Sequence, residues 1–147
     1  LTGLPNRRLF LDRLQHSVLR TRRDQQFGAL MFLDLDQFKR INDAHDHVTG
    51  DHLLQMIGPR LRAILREEDT IARLGGDEFV LLMEGIGSSA EEATYHAQML
   101  AEKLRAALNL PFYFAGIQHR VSASIGVTLF PKDDESADDL MRQGFVF

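Results

Sequence analysis

The chain has 147 residues, 44% of them hydrophobic, which is enough for one domain with its own core and too few for two ordinary domains. Its 17 basic and 21 acidic residues give a formal net charge of -4, so a nucleic-acid-binding surface is not expected. The absence of cysteine excludes disulfides and thiolate metal sites and suits a reducing cytoplasm.

No stretch of the sequence approaches the roughly 20 apolar residues of a membrane span. We therefore expect a cytoplasmic domain that makes no membrane contact of its own, although the full-length protein could be membrane-anchored. The chain begins at Leu1, without a methionine and inside an apparent motif, so we expect it to come from a longer protein.

The apolar spacing predicts alternating helices and strands along the chain. Helices are expected over residues 5–23, 37–45, 51–65, 88–108 and 137–143, with Pro59 kinking the third. Strands are expected over residues 27–33, 70–74, 79–83, 112–114 and 121–130, the second and third forming a hairpin, with loops at 47–50 and 131–135. This order predicts an α+β fold, in which helices flank a mainly antiparallel central sheet with a ferredoxin-like core.

Two pairs of acidic residues stand at the ends of predicted strands. Asp34 and Asp36 follow the apolar run of the first strand, and Asp77 and Glu78 lie at the hairpin turn. If the first strand lies beside the hairpin, the four carboxylates converge and raise one another's pKa unless a cation neutralises them. A hard divalent ion such as Mg²⁺ is the simplest resolution, and the lack of Cys or paired His ligands argues against zinc.

Gly75 and Gly76 directly precede the second acidic pair. Glycines permit positive φ and leave room for a ligand to approach the backbone, so a nucleotide could lie against this turn. The alternative, an ordinary glycine turn with solvated acids, is the commoner explanation of an arbitrary Gly-Gly-Asp.

Three histidines that lie close together in the sequence, His45, His47 and His52, suggest a metal site at first sight. Their spacing repeats no known ligand pattern, so solvated loop histidines are the better explanation. Asp36 is similarly ambiguous: it could bind a metal directly, but we favour a role in capping the following helix or supporting the ligands.

The string from Gly75 to Phe79, GGDEF, is the signature of the GGDEF family, and its companion segments occur in the family's order. These are residues 1–7 (LTGLPNR), 34–39 (DLDQFK), 42–43 (ND), 50–54 (GDHLL) and 124–127 (SIGV). The resemblance extends from Leu1 to about Gln143. It implies one GGDEF domain over residues 1–147, with a nucleotidyl cyclase-like fold and diguanylate cyclase activity that joins two GTP into cyclic di-GMP and pyrophosphate.

The resemblance also implies roles for the acidic residues. Asp34, Asp77 and the carbonyl group of Leu35 would hold two Mg²⁺ or Mn²⁺ ions in each active site. Asp77 and Glu78 would be the catalytic residues, with Glu78 positioning or deprotonating the attacking hydroxyl. Because each domain holds one GTP, catalysis would require a homodimer.

A set of substrate-binding residues follows from the same resemblance. Asn42 and Asp51 would read the guanine edge, where an amide and a carboxylate match its acceptor and donors. Lys39 would contact the triphosphate. The full implied set is Phe38, Lys39, Asn42, Asp51, Gly75 and Gly76.

Arg66 and Asp69 form an R-x-x-D pattern that ends five residues before the glycines. In this position the pattern resembles the family's inhibitory site, where the product cyclic di-GMP binds. An arginine at a helix C-terminus would also be reasonable without any ligand.

After Gln143 the sequence departs from the family, which normally continues into a helix with basic contacts to the terminal phosphate. Residues 144–147 (GFVF) carry no basic group. We expect the last helix to be truncated or divergent, with weakened triphosphate binding and an intact fold. Two alternatives to the cyclase therefore stay open: an inactive module that binds GTP or senses cyclic di-GMP and controls an attached phosphodiesterase, and a dimerisation domain that binds no nucleotide.

Overall fold

The computed structural model describes residues 6–36, 47–131 and 136–143, except for the side chains of His47 and Gln143. The elements in chain order are α1 (Arg7–Asp24), β1 (Phe27–Asp36), α2 (His47–Arg62), β2 (Thr70–Gly75), β3 (Glu78–Gly87), α3 (Ala90–Asn109), β4 (Phe112–Phe114), β5 (Ile117–His119), β6 (Ser122–Phe130) and α4 (Ala137–Gln143). No helix in these ranges has both the length and the apolar character needed to cross a membrane.

Among the described residues, the central sheet has four strands in the order β2-β3-β1-β6, and every neighbouring pair is antiparallel. The hairpin of β2 and β3 forms as predicted. Strand β3 lies between β1 and β2, and β1 lies between β3 and β6, which is the ferredoxin-like arrangement. The predicted α+β fold with an antiparallel central sheet is therefore confirmed.

Strand β1 is buried on both faces of the sheet, which explains its uninterrupted apolar sequence. Successive side chains of a strand point to opposite faces. Met31 and Leu33 join the apolar cluster built with α2 and α3, whereas Leu30 and Phe32 join the one built with α1 and α4. Each face of the sheet is thus covered by two of the described helices, and β1 is fixed between the two layers.

The bounds of α2 correct two predictions. Residues 47–50 belong to the helix rather than to a loop, because Thr49 and Gly50 are buried and tertiary packing overrides the weak helix propensity of glycine. The helix ends at Arg62 rather than at residue 65. Just beyond the helix, the N–H groups of Ile64 and Leu65 donate to the carbonyl oxygens of the residues three positions earlier. Hydrogen bonds of this spacing form a tighter turn than those of an α-helix. The segment 37–45, predicted to be helical, and residues 132–135 of the predicted acidic loop lie outside the described residues.

Strand β5 was not predicted. It pairs with β4 across a two-residue turn in which Ala115 and Gly116 have φ angles of 54° and 75°. Such a turn suits a tight hairpin, but alanine rarely adopts positive φ, so no pattern in the sequence indicated it. At the start of α3, Ser89 caps the helix by accepting from the N–H of Glu92.

Gly28 is a point where the sheet admits no side chain. A Cβ atom there would lie 2.4 Å from Cζ of Phe130 and 2.7 Å from the carbonyl oxygen of Met83. We expect Gly28→Ala to lower the free energy of unfolding by about 1–3 kcal/mol, measured by urea denaturation. The same change at Gly75, where an added Cβ has nothing within 4 Å, should cost about 0.5 kcal/mol or less. Equal losses in the two variants would contradict the steric explanation.

Candidate active site

The register of the central strands brings the two acidic pairs together. Asp34 of β1 is directly opposite Glu78 of β3, and the N–H of Leu35 donates to the carbonyl oxygen of Asp77 at 3.0 Å. Asp36 follows two residues after Asp34 and therefore faces the same side of the sheet. The carboxylates meet at one end of the two central strands, the arrangement that the sequence required for a cation site.

The electrostatics at this end of the sheet reflect the crowding. Partial burial raises the pKa of Asp34, and the nearby carboxylates of Asp77, Glu78 and Asp36 raise it further, in that order. A group whose pKa is raised by like charges is stabilised by an added cation. The site is thus electrostatically suited to a positive ligand.

The donor set fits a hard divalent ion. In residues 6–36, 47–131 and 136–143, no three His, Cys, Asp or Glu side chains form a ready-made metal cage. Mg²⁺ seldom needs one, because it commonly binds one or two carboxylates and completes its octahedron with water and substrate phosphates. Asp34 and Asp77, with the backbone oxygen of Leu35, match that partial set.

Asp36 is held by two hydroxyl groups from the neighbouring strand. Ser122 and Ser124 of β6 donate to its carboxylate oxygens at 3.1 and 2.7 Å. A carboxylate engaged in this way supports the end of β1, which favours the predicted supporting role over direct metal binding. The serines were missed in the sequence because they are 86 and 88 positions away, and only the strand register reveals the match between S-x-S and D-x-D.

The signature glycines form the hairpin turn. Gly76 has a φ of 45°, as predicted for a residue at this position, whereas Gly75 still belongs to β2. Both are exposed, and no atom lies within 4 Å of where a Cβ would be. Arg73, which sequence analysis did not single out, donates from Nε to the carbonyl oxygen of Gly76 at 3.0 Å and braces the turn.

Of the predicted substrate residues, Phe38, Lys39 and Asn42 lie outside the described residues, as does His45. Asp51 is exposed in the second turn of α2. The adjacent His52 stacks on the ring of Phe114 with centroids 4.3 Å apart, so its ring packs on the β4–β5 hairpin. His52 is thus a helix residue that packs on an aromatic ring, rather than the solvated loop histidine that the sequence predicted.

The second candidate site begins just beyond the end of α2. Asp69 is buried and forms an ion pair with Arg66, whose Nη2 and Nε lie 2.9 and 3.3 Å from its carboxylate oxygens. Arg66 also donates from Nη2 to the carbonyl oxygen of Glu84 at 2.8 Å. The hydrogen bonds that Arg66 donates to Asp69 raise the pKa of Arg66, which stays charged. Because α2 ends at Arg62, Arg66 is a loop residue rather than the helix-terminal arginine of the alternative explanation.

A cavity of about 360 Å³ opens beside this ion pair. Its lining includes Arg66 and Asp69 from the loop and His96 and Lys103 from α3. His96 is held by a 2.7 Å hydrogen bond between Nδ1 and the carbonyl oxygen of Ile86. The volume is within the usual range for small-molecule sites, and the lining carries both cations, Arg66 and Lys103, and carboxylates, Asp69 and Glu92. The α3 residues could not be predicted, since no local pattern in the sequence links them to the loop.

The antiparallel sheet with acidic residues at one end of its central strands is the architecture of the nucleotidyl cyclase-like class. Comparison with known proteins identifies the family within that class. The family model described as "Diguanylate cyclase, GGDEF domain" matches residues 1–144, and the chain belongs to this family.

Relatives and a solved structure agree with the family assignment. The bifunctional diguanylate cyclase/cyclic di-GMP phosphodiesterase MucR of Pseudomonas aeruginosa is 47% identical over 96% of this chain and 20% of its own length. The cyclic di-GMP phosphodiesterase NbdA of the same organism is 37% identical over 97% of this chain and 17% of its own length. The chain therefore spans about a fifth of these relatives. The crystal structure of the GGDEF domain of TpbB (YfiN) from P. aeruginosa is 35% identical, covers 98% of this chain and 87% of that one, and superimposes with a TM-score of 0.89.

Asp34→Asn should stabilise the chain when no divalent ion is present, because it removes the charge that partial burial and neighbouring carboxylates disfavour. We expect a rise in melting temperature of about 1–4 °C in EDTA, measured by circular dichroism. The matched control is Asp36→Asn, which keeps a side chain within reach of both serines and removes the weakest of the three repulsions on Asp34. A larger gain from Asp36→Asn than from Asp34→Asn would show that repulsion at Asp34 is not the source of the strain.

Proposed function

We propose that this chain is a diguanylate cyclase domain that condenses two GTP molecules into cyclic di-GMP and pyrophosphate. The observation that carries the proposal is the pairing of Asp34 with Glu78 beside Asp77, in a chain of the GGDEF family. The acids required for this chemistry are all present, and the strand register gathers them at one end of the sheet.

The carboxylates of Asp34 and Asp77 and the carbonyl oxygen of Leu35 would hold two Mg²⁺ or Mn²⁺ ions. When bound, the ions supply the charge that stabilises the attacking and leaving oxygens of phosphoryl transfer. Leu35 is well suited to offer only its backbone, since its side chain is fully buried in the core formed with α2 and α3. Its position is therefore set by packing rather than by the ligand.

The remaining residues of the site orient the reactants. Glu78 would position the attacking 3′-hydroxyl group of one GTP or take up its proton, the role of a general base. Arg73 holds the carbonyl oxygen of Gly76 and so keeps the turn in one shape beside the substrate. Lys39 and Asn42 would bind phosphate and guanine, together with Asp51 of α2.

The stoichiometry of the reaction calls for a homodimer. The 3′-hydroxyl group of one GTP attacks the α-phosphate of another, pyrophosphate leaves, and the second bond forms in the same way. Each domain would hold one GTP, so two sites must face one another for each ring closure. The contribution of each domain is mainly to place one reactant against the other.

Replacing Asp77 tests the proposed enzyme directly. We expect the full-length protein to form cyclic di-GMP from GTP and Mg²⁺, and Asp77→Asn to reduce the rate about 100-fold or more. Chromatography of the nucleotide products gives the measurement. Glu91→Gln, a change of the same kind at an exposed site in the first turn of α3, should retain the rate. Full activity of Asp77→Asn would refute the assigned role.

A second function is a GTP-binding or cyclic di-GMP-sensing module that controls an attached phosphodiesterase. The name of the relative NbdA, a cyclic di-GMP phosphodiesterase, favours this possibility. The same incubation separates the two functions. Binding of GTP without any cyclic dinucleotide product supports the module, and the absence of GTP binding supports a dimerisation domain.

Cyclic di-GMP is also the ligand that we propose for the cavity beside Arg66 and Asp69. Arg66 and Lys103 would attract its phosphate groups, and the carboxylate of Asp69 would accept from the N–H donors of guanine. The dinucleotide would thereby act as inhibitor as well as product. The ion pair with buried Asp69 keeps Arg66 in place before the ligand arrives.

Arg66→Ala should weaken binding of cyclic di-GMP about 10- to 100-fold, because it removes a charged donor to the phosphates. Isothermal titration calorimetry measures the affinity. Arg105→Ala provides the control, since Arg105 forms an exposed ion pair with Glu102 on α3 and does not line the cavity. An unchanged affinity in Arg66→Ala would place the dinucleotide elsewhere.

A further inference from the structure

Arg62 is the last residue of α2, and its side chain binds the backbone of the loop that carries Arg66 and Asp69. Its Nη1 donates to the carbonyl oxygen of Asp69 at 2.5 Å, and its Nη2 donates to those of Arg66 and Glu67 at 2.6 and 3.0 Å. One guanidinium group thus holds three backbone oxygens within four residues. Arg62 is not among the residues that line the cavity.

Apart from the side-chain bonds of Arg66 to Asp69 and to the carbonyl oxygen of Glu84, two bonds within the loop define its shape. The N–H of Asp69 donates to the carbonyl oxygen of Arg66 at 3.0 Å, and the N–H of Arg66 donates to the carboxylate of Asp69 at 2.9 Å. These bonds close the turn on itself but do not attach it to the helix. The three bonds from Arg62 make that attachment, and charged donors are well matched to carbonyl groups beyond a helix C-terminus.

We propose that Arg62 is the positioning residue of the cyclic di-GMP site: by fixing the backbone of residues 66–69 to the end of α2, it aims Arg66 and Asp69 into the cavity. This inference rests on the proposed inhibitory site. Recognition of a phosphate by a guanidinium group depends on direction, so a loop released from Arg62 loses affinity even though both ligand-binding side chains are present.

A purely structural role for Arg62 is the competing explanation, and the same helix supplies a matched control. Arg60 also donates to three backbone carbonyls, those of Ala107, Leu110 and Pro111, at 3.2, 2.6 and 2.9 Å. Its guanidinium group lies 3.4 Å from the centroid of the Phe112 ring. Arg60, two residues before Arg62, therefore makes the same number of hydrogen bonds to a different segment of the chain.

The experiment measures cyclic di-GMP affinity by calorimetry and melting temperature by circular dichroism for the unsubstituted chain, Arg62→Met, Arg62→Lys and Arg60→Met. Both methionine variants should melt at lower temperature, because each loses three hydrogen bonds. We expect Arg62→Met to bind cyclic di-GMP about tenfold more weakly and Arg60→Met to bind within about twofold of the unsubstituted chain. Arg62→Lys, which keeps the charge and some donors, should fall between these values.

The outcomes separate the two proposals. Failure of the unsubstituted chain to bind cyclic di-GMP overturns the inhibitory site and, with it, the role of Arg62. Normal affinity in Arg62→Met overturns only the role of Arg62. An equal loss of affinity in Arg60→Met attributes the effect to general destabilisation and also overturns it. If Arg62→Met does not fold, Arg62→Lys decides: unchanged affinity there contradicts the inference.

Discussion

The pairing of β1 with β3 places two carboxylates opposite each other, and the candidate active site depends on this one register. Like charges directly opposite in an antiparallel pair are unfavourable. The register is nevertheless fixed, because β1 is buried on both faces and a shift by one residue would exchange its two sets of core side chains. Burial of Leu30, Met31, Phe32 and Leu33 thus forces Asp34 against Glu78.

This conflict between packing and charge has a thermodynamic consequence. The free energy gained from the two cores holds the acids together against their repulsion, so a cation that neutralises them adds to the stability of the folded chain. A site of this kind is less stable than its surroundings until its ligands are present. Local losses of folding stability of this kind are common at functional sites, where residues are selected for chemistry rather than for stability.

The sequence predicted the parts of the fold that depend on local pattern. Periodicity identified β1, the β2–β3 hairpin and α3, and the two acidic pairs identified the candidate site. It did not predict β5, which turns on a positive φ at Ala115, or the first turn of α2, where burial overrides the propensity of Gly50. Local pattern is a weak guide wherever a residue adopts an uncommon conformation because of its tertiary surroundings.

Contacts between distant residues were inaccessible for a different reason. Ser124 donates to Asp36 across 88 positions, and Arg60 donates to the carbonyl oxygen of Ala107 across 47. The cavity beside Arg66 likewise combines the loop with Lys103 of α3. Each of these required the strand register or the helix packing to be known first.

Strand β2 has six residues, from Thr70 to Gly75, and pairs with β3 alone within the described sheet. Asp69 immediately precedes it and Gly76 immediately follows it, so the two candidate sites are attached to its opposite ends, about 20 Å apart. The length of one strand therefore sets the spacing between the two candidate sites. An insertion or deletion within β2 would change that spacing and would also exchange the side chains that β2 presents to the two faces of the sheet.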